Sequence, residues 1–342
     1  MTAMKALVYS DVRKVTMQER TVPVPSVGQV LLKVEATGIC GSDMAGFLGH
    51  SPRRKPPLIL GHEVVGTIET LPEGANLPFA VGQRVTVNPF FPCGVCTACK
   101  AGSINLCVDW KLLGMDQTEG AFADYVLAPA NHLYPVSDRL PPHKAIMVEP
   151  LTNGVHLFTL MRVPNPAQLV IFGAGTQGCL LTALAARYGC QEIAVVDINA
   201  ERLAVAQTLG ATTLINAREG DPVTQIRERW NEGADTVIDA HGSQSVREAS
   251  VKAVKKGGEV LLLGLHEVQT TLDFTAIVRN EIRLQGSFAY NTKNFAEALR
   301  IIEADEIDLS EWTQTLPLEE GQAAFDRLTT DPGATMKIVL TP

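Results

Sequence analysis

From residue 168 the chain alternates short apolar runs with amphipathic segments, and this alternation constrains its fold more than any other feature. QLVIFG (168–173), EIAVVD (192–197), TTLINA (212–217), ADTVIDA (234–240), EVLLLGL (259–265) and RLQGSF (283–288) read as strands. TQGCLLTALAARYG (176–189), ERLAVAQTLG (201–210) and segments near 222–230, 245–255 and 275–281 read as helices. Apolar strands joined by helical crossovers form a parallel sheet covered on both faces, so the expected class is α/β with a doubly wound, six-stranded Rossmann sheet. Gly173, Gly175 and Gly178 form G-x-G-x-x-G between the first strand and its helix. The first glycine makes the tight turn, the second lets backbone approach a pyrophosphate, and the third brings helix and strand close. The helix N-terminus then faces the phosphates. Asp197 ends the second strand, where its carboxylate can accept from ribose hydroxyls and repel a 2′-phosphate. Ile198 and Asn199 bring no cation, so NAD is expected rather than NADP. Thr176, Gln177 and Arg202 join this set of cofactor-binding candidates. Asp197 also reads as a helix N-cap before Ala200, a role compatible with the first.

The second constraint is PCGVCTACKAGSINLC, residues 92–107. Cys93, Cys96, Cys99 and Cys107 follow C-x2-C-x2-C-x7-C, and two-residue gaps let neighbouring thiolates turn inward on one ion. Four thiolates complete a tetrahedron with no open position, which is how a structural zinc site is built. Gly94 and Gly102 supply sharp turns. Disulfides and four packed thiols are the competing readings, and the loop's polar, Gly-rich make-up argues against packed thiols. The start, MTAMKALVY, lacks the charged and apolar regions of a secretory signal, so a cytoplasmic, reducing compartment is expected, where disulfides are disfavoured.

Composition narrows the partners. The 342 residues leave room for two domains, and 46% hydrophobic with 19% charged residues is an ordinary globular balance. The formal charge of −8 carries no basic cluster suited to nucleic acid. The densest basic run, RRK at 53–55, reads as a solvated loop. No apolar stretch approaches the ~20 residues of a membrane helix.

A second metal constellation is scattered. Cys40 lies in GICGSD, His62 and Glu63 in LGHEVVG, and Glu149 in VEPLTNG. A thiolate, an imidazole and one or two carboxylates suit zinc with room for water or substrate. Taken singly, each also reads as core packing. Glu149, between Val148 and Pro150, would be costly to bury without a partner.

GICGSD, LGHE, the four-cysteine loop, VEPL and GAGTQG occur in an order that resembles the zinc-dependent medium-chain dehydrogenases, from MKALVY to MKIVLTP. Within that family the chain is most similar to the polyol branch, which includes sorbitol (L-iditol) and galactitol-1-phosphate 5-dehydrogenases. The resemblance implies a GroES-like, β-rich catalytic domain over residues 1–151 and 288–342, holding two zinc ions per chain. Residues 152–287 would be the Rossmann NAD-binding domain, with the active site in the cleft between the two. It also implies that Cys40, His62 and Glu63 bind the catalytic zinc, and that Glu149 is a fourth ligand or holds the zinc water. Ser42 would take the first proton. From the residues alone, Ser42 reads as a turn residue bonding its own backbone.

Zinc against a hydroxyl oxygen lowers its pKa, and the carbinol carbon can then pass hydride to nicotinamide. Two hydroxyls on adjacent carbons could both reach the metal region, which suits a polyol. The chain departs from the family pattern twice. Position 45, where many relatives end the proton relay in His, is Ala45, and His50 reads first as an exposed loop residue. Ala289 precedes Tyr290 where sorbitol dehydrogenases place an Arg. His156 reads as packing, His241 lies where a cofactor contact is open, and Cys179 and Cys190 read as core thiols. The expected activity is zinc-dependent, NAD-linked oxidation of a polyol, sugar alcohol or sugar-alcohol phosphate. L-Threonine or an aminocyclitol is the alternative substrate class, and a catalytically silent dinucleotide-binding redox sensor the alternative of another kind. The partner is a small molecule, and relatives imply a homodimer or homotetramer.

Overall fold

The computed structural model describes residues 2–72 and 77–342. The chain divides into two compact units, Met1–Pro150 with Tyr290–Pro342, and Leu151–Ala289.

The second unit carries a six-stranded sheet in which every neighbouring pair is parallel. Its order is Thr213–Asn216, Glu192–Asp197, Gln168–Phe172, Ala234–Asp239, Val254–Leu262, Arg283–Gly286. The chain runs outward from Gln168–Phe172 in one direction and then returns to its other side, which is the doubly wound order with its switch point at that strand. Leu169, Val170, Ile171, Ile193, Ala194 and Val195 are fully buried, because helices cover both faces. The helix Thr176–Arg187 buries residues around most of its circumference, whereas Pro222–Arg229 buries only Ile226. Short polar residues start the later helices of this unit. Asp221, Ser243 and Asp273 each accept a backbone N–H from the first turn that follows. Before Ala200–Thr208 the cap is Asn199, whose side chain accepts from Glu201 and Arg202. The expected N-cap role of Asp197 therefore falls to Asn199: Asp197 still belongs to its strand, and only the later residue can reach the first-turn N–H groups.

The first unit is β-rich. The strands Leu133–Pro135, Arg84–Val87, Glu63–Thr70, Gln29–Gly38, Lys337–Thr341 and Thr313–Pro317 lie side by side in that order, and Tyr125–Pro129 also pairs with Gln29–Gly38. A smaller sheet joins Lys14–Thr21, Ala3–Asp11 and Leu58–Ile59. Val30, Leu32 and Val34, alternate residues of one strand, enter a core with Val64, Ile68, Val85 and Val126. Ile338 and Leu340 enter another with Leu7, Phe47, Phe122 and Phe325. The carboxy-terminal strand is thus inserted within the sheet, antiparallel to Gln29–Gly38 and parallel to Thr313–Pro317. That insertion carries Lys337 into the interior. Among the described residues no helix is long and apolar enough to cross a membrane.

Candidate active site and metal centres

In the four-cysteine loop, the Sγ atoms of Cys93, Cys96, Cys99 and Cys107 all lie within 4.8 Å of one another. Cys96 precedes the one-turn helix Thr97–Lys100, which folds Cys99 back to 3.5 Å from it. Gly94 and Gly102 have φ of 77° and 78°, the left-handed turns the loop needs. All seven cysteines are free. The spacings of 3.5 Å for Cys96–Cys99 and 4.0 Å for Cys93–Cys99 bracket the edge of roughly 3.8 Å that Zn–S bonds of about 2.3 Å dictate. The N–H groups of Cys93 and Asp109 donate to Cys107 Sγ at 3.2 and 3.4 Å. Backbone N–H groups of Cys99 and Val108 hold the Cys96 thiol down to about 6, while loss of solvent pushes Cys99 up to about 12. Crowded thiols divide in this way until a cation allows all of them to ionise. The donor set fits zinc.

The second cluster is assembled by strand pairing. Gly38 stands opposite Glu63 in the antiparallel ladder of Gln29–Gly38 with Glu63–Thr70. Cys40 follows the first strand as N-cap of the helix Gly41–Phe47, and His62 precedes the second. Ligand atoms of Cys40, His62 and Glu63 consequently lie within 4.8 Å of one another. Gly38 is required there, since a Cβ would stand 2.1 Å from Glu63 Oε2. Asp43 accepts the Cys40 N–H at 3.1 Å, and its Oδ1 lies 3.3 Å from His62 Nδ1. That leaves Nε2 of His62 for the cluster, the carboxylate–histidine arrangement found behind metal ligands. Burial works against charge on both partners, yet their neighbours together outweigh it: Asp43 and Cys40 for His62, and His62, Arg54 and the Cys40 N–H for Asp43. Asp43 is held below its usual range, with Arg54 adding to the effect of His62, and His62 well above its own. Both groups are buried. Among the described residues three protein donors are grouped here, a set that suits zinc and would leave room for water or substrate.

Glu149 begins the helix Val148–Leu160 and is buried, its Oε1 accepting from Tyr290 Oη at 2.7 Å. Burial raises its pKa, with Glu63 adding to the rise and His62 opposing it. It thus lies beside the cluster without being one of the three grouped ligands. Both oxygens of Glu63 receive Lys337 Nζ, at 2.7 and 2.8 Å, and Lys337 also donates to Ile39 O at 3.1 Å. Sequence reasoning missed Lys337. Its signal was a lone cation inside the apolar strand MKIVLTP.

Ser42 sits in the first turn of Gly41–Phe47, and its Oγ accepts from Arg54 Nη2 at 3.1 Å. This corrects the solvated-loop reading of RRK. Arg54 is only 3% exposed, because the loop doubles back over the helix and Asp43, Ser42 and Gly114 O satisfy its guanidinium. The Arg53 guanidinium carbon lies over the Trp110 ring, 3.8 Å from its centroid, and the group forks onto Asp116. Lys55 alone of the three is exposed, as is His50.

In the second unit, Gly173 has a φ of 100°, and a Cβ on Gly178 would meet Gly173 O at 1.7 Å. Gly175 starts the helix Thr176–Arg187 without any side-chain cap. Asp197 Oδ2 accepts the Ala174 N–H at 2.6 Å and Oδ1 the Asn199 N–H at 2.8 Å, so it ties the glycine loop to the strand end. Arg202 Nη1 lies 4.0 Å from the position a Cβ on Gly175 would take, and its buried Nε has no partner. An open cradle with an orphaned guanidinium nitrogen fits a dinucleotide. Thr176 and Gln177 lie in the first turn of this helix. His241 follows Ala234–Asp239, with its Cβ 3.6 Å from the Gly173 Cβ position and its ring 4.8 Å from that of His266. His156 is buried within Val148–Leu160. Burial pushes Cys179 up to about 12 and Cys190 to about 11, as inert core thiols.

The chain was compared with known families and structures. Residues 26–138 match the alcohol dehydrogenase GroES-like domain, and residues 178–304 match the zinc-binding dehydrogenase family. The chain is 31% identical to sorbitol dehydrogenase of Bacillus subtilis, over 99% of this chain and 97% of that one. It is 29% identical to L-threonine 3-dehydrogenase of Stenotrophomonas maltophilia, over 99% of both. A provisionally assigned zinc-binding dehydrogenase from Sinorhizobium meliloti 1021, bound to NADP, superposes over the full length of both chains with a TM-score of 0.92 at 28% identity. Proteins of this family use zinc and a nicotinamide dinucleotide, and the residues described above fit both. With its GroES-like half, its Rossmann half and both metal constellations, the chain is an oxidoreductase that belongs to the zinc-dependent medium-chain dehydrogenases, in their polyol branch.

Proposed function

We propose that the protein reversibly oxidises a secondary alcohol of a polyol, sugar alcohol or sugar-alcohol phosphate to the ketone, with NAD as hydride acceptor. The observation that carries the reading is the Cys40–His62–Glu63 cluster, with His62 and Glu63 buried and Cys40 half-buried, Asp43 behind the imidazole and Glu149 alongside. Cys40, His62 and Glu63 would hold zinc, which would supply the Lewis acidity that lets a hydroxyl lose its proton near neutrality, and a nicotinamide held by the glycine loop would supply the hydride acceptor. Asp43 fixes the His62 ring so that Nε2 faces the cluster. Ser42 takes the substrate's proton. Glu149, anchored by Tyr290, offers an acceptor to a second hydroxyl, which favours a polyol over a simple alcohol. The likeness to a threonine dehydrogenase supports an amino alcohol as the second reading.

Residues 1–151 with 288–342 form the catalytic domain in this reading, and 152–287 bind the cofactor. Support comes from the division of the chain after Pro150 and Ala289. Both zinc sites then lie in the first half, with Cys93, Cys96, Cys99 and Cys107 inert and structural. Gly173, Gly175, Thr176, Gln177 and Gly178 cradle the pyrophosphate. Asp197 and Arg202 meet the adenosine ribose, where Asp197 repels a 2′-phosphate. The chain assembles as a homodimer or homotetramer. The edge strand Arg283–Gly286 and the exposed Leu265, Val268, Phe274 and Val278 support this. Seven free cysteines suit the cytoplasm.

The test is NAD reduction across sugar alcohols, inositols, their phosphates and amino alcohols, together with metal analysis. About two zinc per chain and turnover of a polyol are expected. One zinc without turnover would mean a silent dinucleotide-binding protein. Asp197→Ala is expected to raise the KM for NAD about tenfold or more, by loss of a charged hydrogen bond, and to narrow discrimination against NADP. Unchanged cofactor preference in steady-state kinetics would remove Asp197 from this role.

A further inference from the structure

The guanidinium of Arg54 lies behind two parts of the candidate site at once. Nη2 donates to Ser42 Oγ at 3.1 Å, and Nε lies 3.6 Å from Asp43 Oδ1 while donating to Gly114 O at 3.1 Å. Asp43 Oδ1 in turn faces His62 Nδ1 at 3.3 Å. The stem of Arg54 crosses the helix Gly41–Phe47 at Gly46, where any Cβ would stand 2.7 Å from Arg54 Cδ and 2.9 Å from its Cβ. A glycine inside a helix costs roughly 1 kcal/mol relative to alanine. At position 46 it makes room for the arginine.

Resting on the function proposed above, we propose that Arg54 is a positioning residue for the reaction, orienting the Ser42 hydroxyl for proton transfer and steadying the Asp43 carboxylate behind His62. A serine oxygen has two lone pairs and one hydrogen. Arg54 only donates and stays charged throughout the working pH range, so it occupies one lone pair and never carries the proton. The second lone pair is left for the substrate hydroxyl, and the Ser42 hydrogen is left to point away. The substrate's proton passes to Ser42 Oγ as Ser42's own proton passes to a solvent water, Ser42 being only half-buried, and a bound nicotinamide would supply the hydride acceptor. With alanine at position 45, no histidine is present there to organise this step. A fixed cation beside the hydroxyl favours its transient negative charge and holds its rotamer.

Zinc-loaded wild type, Arg54→Met and Arg54→Lys are compared with NAD and an alcohol the wild type oxidises. The readouts are kcat, KM, the solvent deuterium isotope effect on kcat, NADH binding, and zinc retention against a competing chelator. In Arg54→Met, kcat is expected to fall about 10- to 100-fold and zinc retention at the Cys40 cluster about tenfold, as for partners behind metal ligands. Substrate KM and NADH affinity should stay within about threefold, and the solvent isotope effect should grow as proton transfer becomes limiting. Arg54→Lys should recover zinc retention through its charge but not kcat, because one ammonium cannot reproduce the planar fork. Wild-type kcat and isotope effect in Arg54→Met would overturn the inference. So would equal losses in kcat, NADH affinity and thermal stability without a change in isotope effect. If Arg54→Met does not fold, Arg54→Lys decides: unchanged kcat and isotope effect would overturn the inference, and a lower kcat with a larger isotope effect would uphold it. A wild type with one zinc and no turnover would defeat the proposed function and this inference together, whereas an active wild type indistinguishable from its variants would defeat the inference alone.

Discussion

Cys40→Ser is expected to lower kcat by roughly 10³-fold or more, taking the Lewis acid as worth several kcal/mol at the transition state. A serine hydroxyl stays protonated where a thiolate would hold the metal, and Cys40 is one of three ligands grouped there among the described residues. Zinc should fall by about one per chain, because the loop from Cys93 to Cys107 keeps its own closed donor set. NADH affinity should hold within about threefold, since the glycine loop, Asp197 and Arg202 all belong to the other unit. Metal analysis, steady-state kinetics and a fluorescence titration with NADH measure the three quantities separately. Normal turnover by this variant would end the metal-assisted reading for this chain.

Lys337→Met carries the largest expected stability effect. Lys337 is 3% exposed and Glu63 fully buried, and the ammonium makes three hydrogen bonds, to both Glu63 oxygens and to Ile39 O. Removing one partner of a buried pair leaves the other charge uncompensated, at a cost of about 3–5 kcal/mol. This loss should appear in urea unfolding of the chelator-treated protein. The zinc-loaded protein should lose less, because the metal gives Glu63 another cation. The double substitution Lys337→Met with Glu63→Gln should recover much of the stability, as no buried charge then stands alone. If the single variant unfolds at the wild-type urea midpoint in zinc-free buffer, the pair contributes nothing net.

The parts of the molecule legible from sequence are those whose partners are local. The strands and crossover helices of 168–287 appear near where periodicity puts them, because a buried parallel strand must be apolar on both faces; the exception is the fifth strand, which runs Val254–Leu262 and so starts inside the segment read as helix to 255. The glycine loop is legible for a similar reason, since a Cβ at Gly178 would collide with an oxygen five residues back. The four cysteines span only fifteen positions, so their spacing limits how they can meet. Asp197 and Asn199 show where such reading stops. Both are capping types, and only the path of the chain after Asp197 decides that Asn199 reaches the helix.

The errors and omissions lie where contacts are long-range. RRK has a polar composition that predicts a solvated loop, yet Arg54 is buried by partners at positions 42, 43 and 114. Lys337 reaches Glu63 across 274 positions, and Tyr290 reaches Glu149 across 141. Composition rules treat a lone Lys or Arg as a surface residue because an unpaired buried charge is too costly. Whether a partner exists depends on strands meeting in three dimensions, which no local pattern records.

The order of the motifs, the residue types at each metal position and the strand–helix alternation were therefore written in the chain itself, since they follow from backbone sterics, side-chain periodicity and ligand chemistry acting over a few residues. The tertiary structure alone decided which charges are buried in pairs, which hydroxyl Arg54 holds, and which carboxylate stands behind His62. Those are pairwise electrostatic choices made in a water-poor interior, and the Lys337–Glu63 pair among them exists only once the carboxy-terminal strand has slotted in beside Gln29–Gly38.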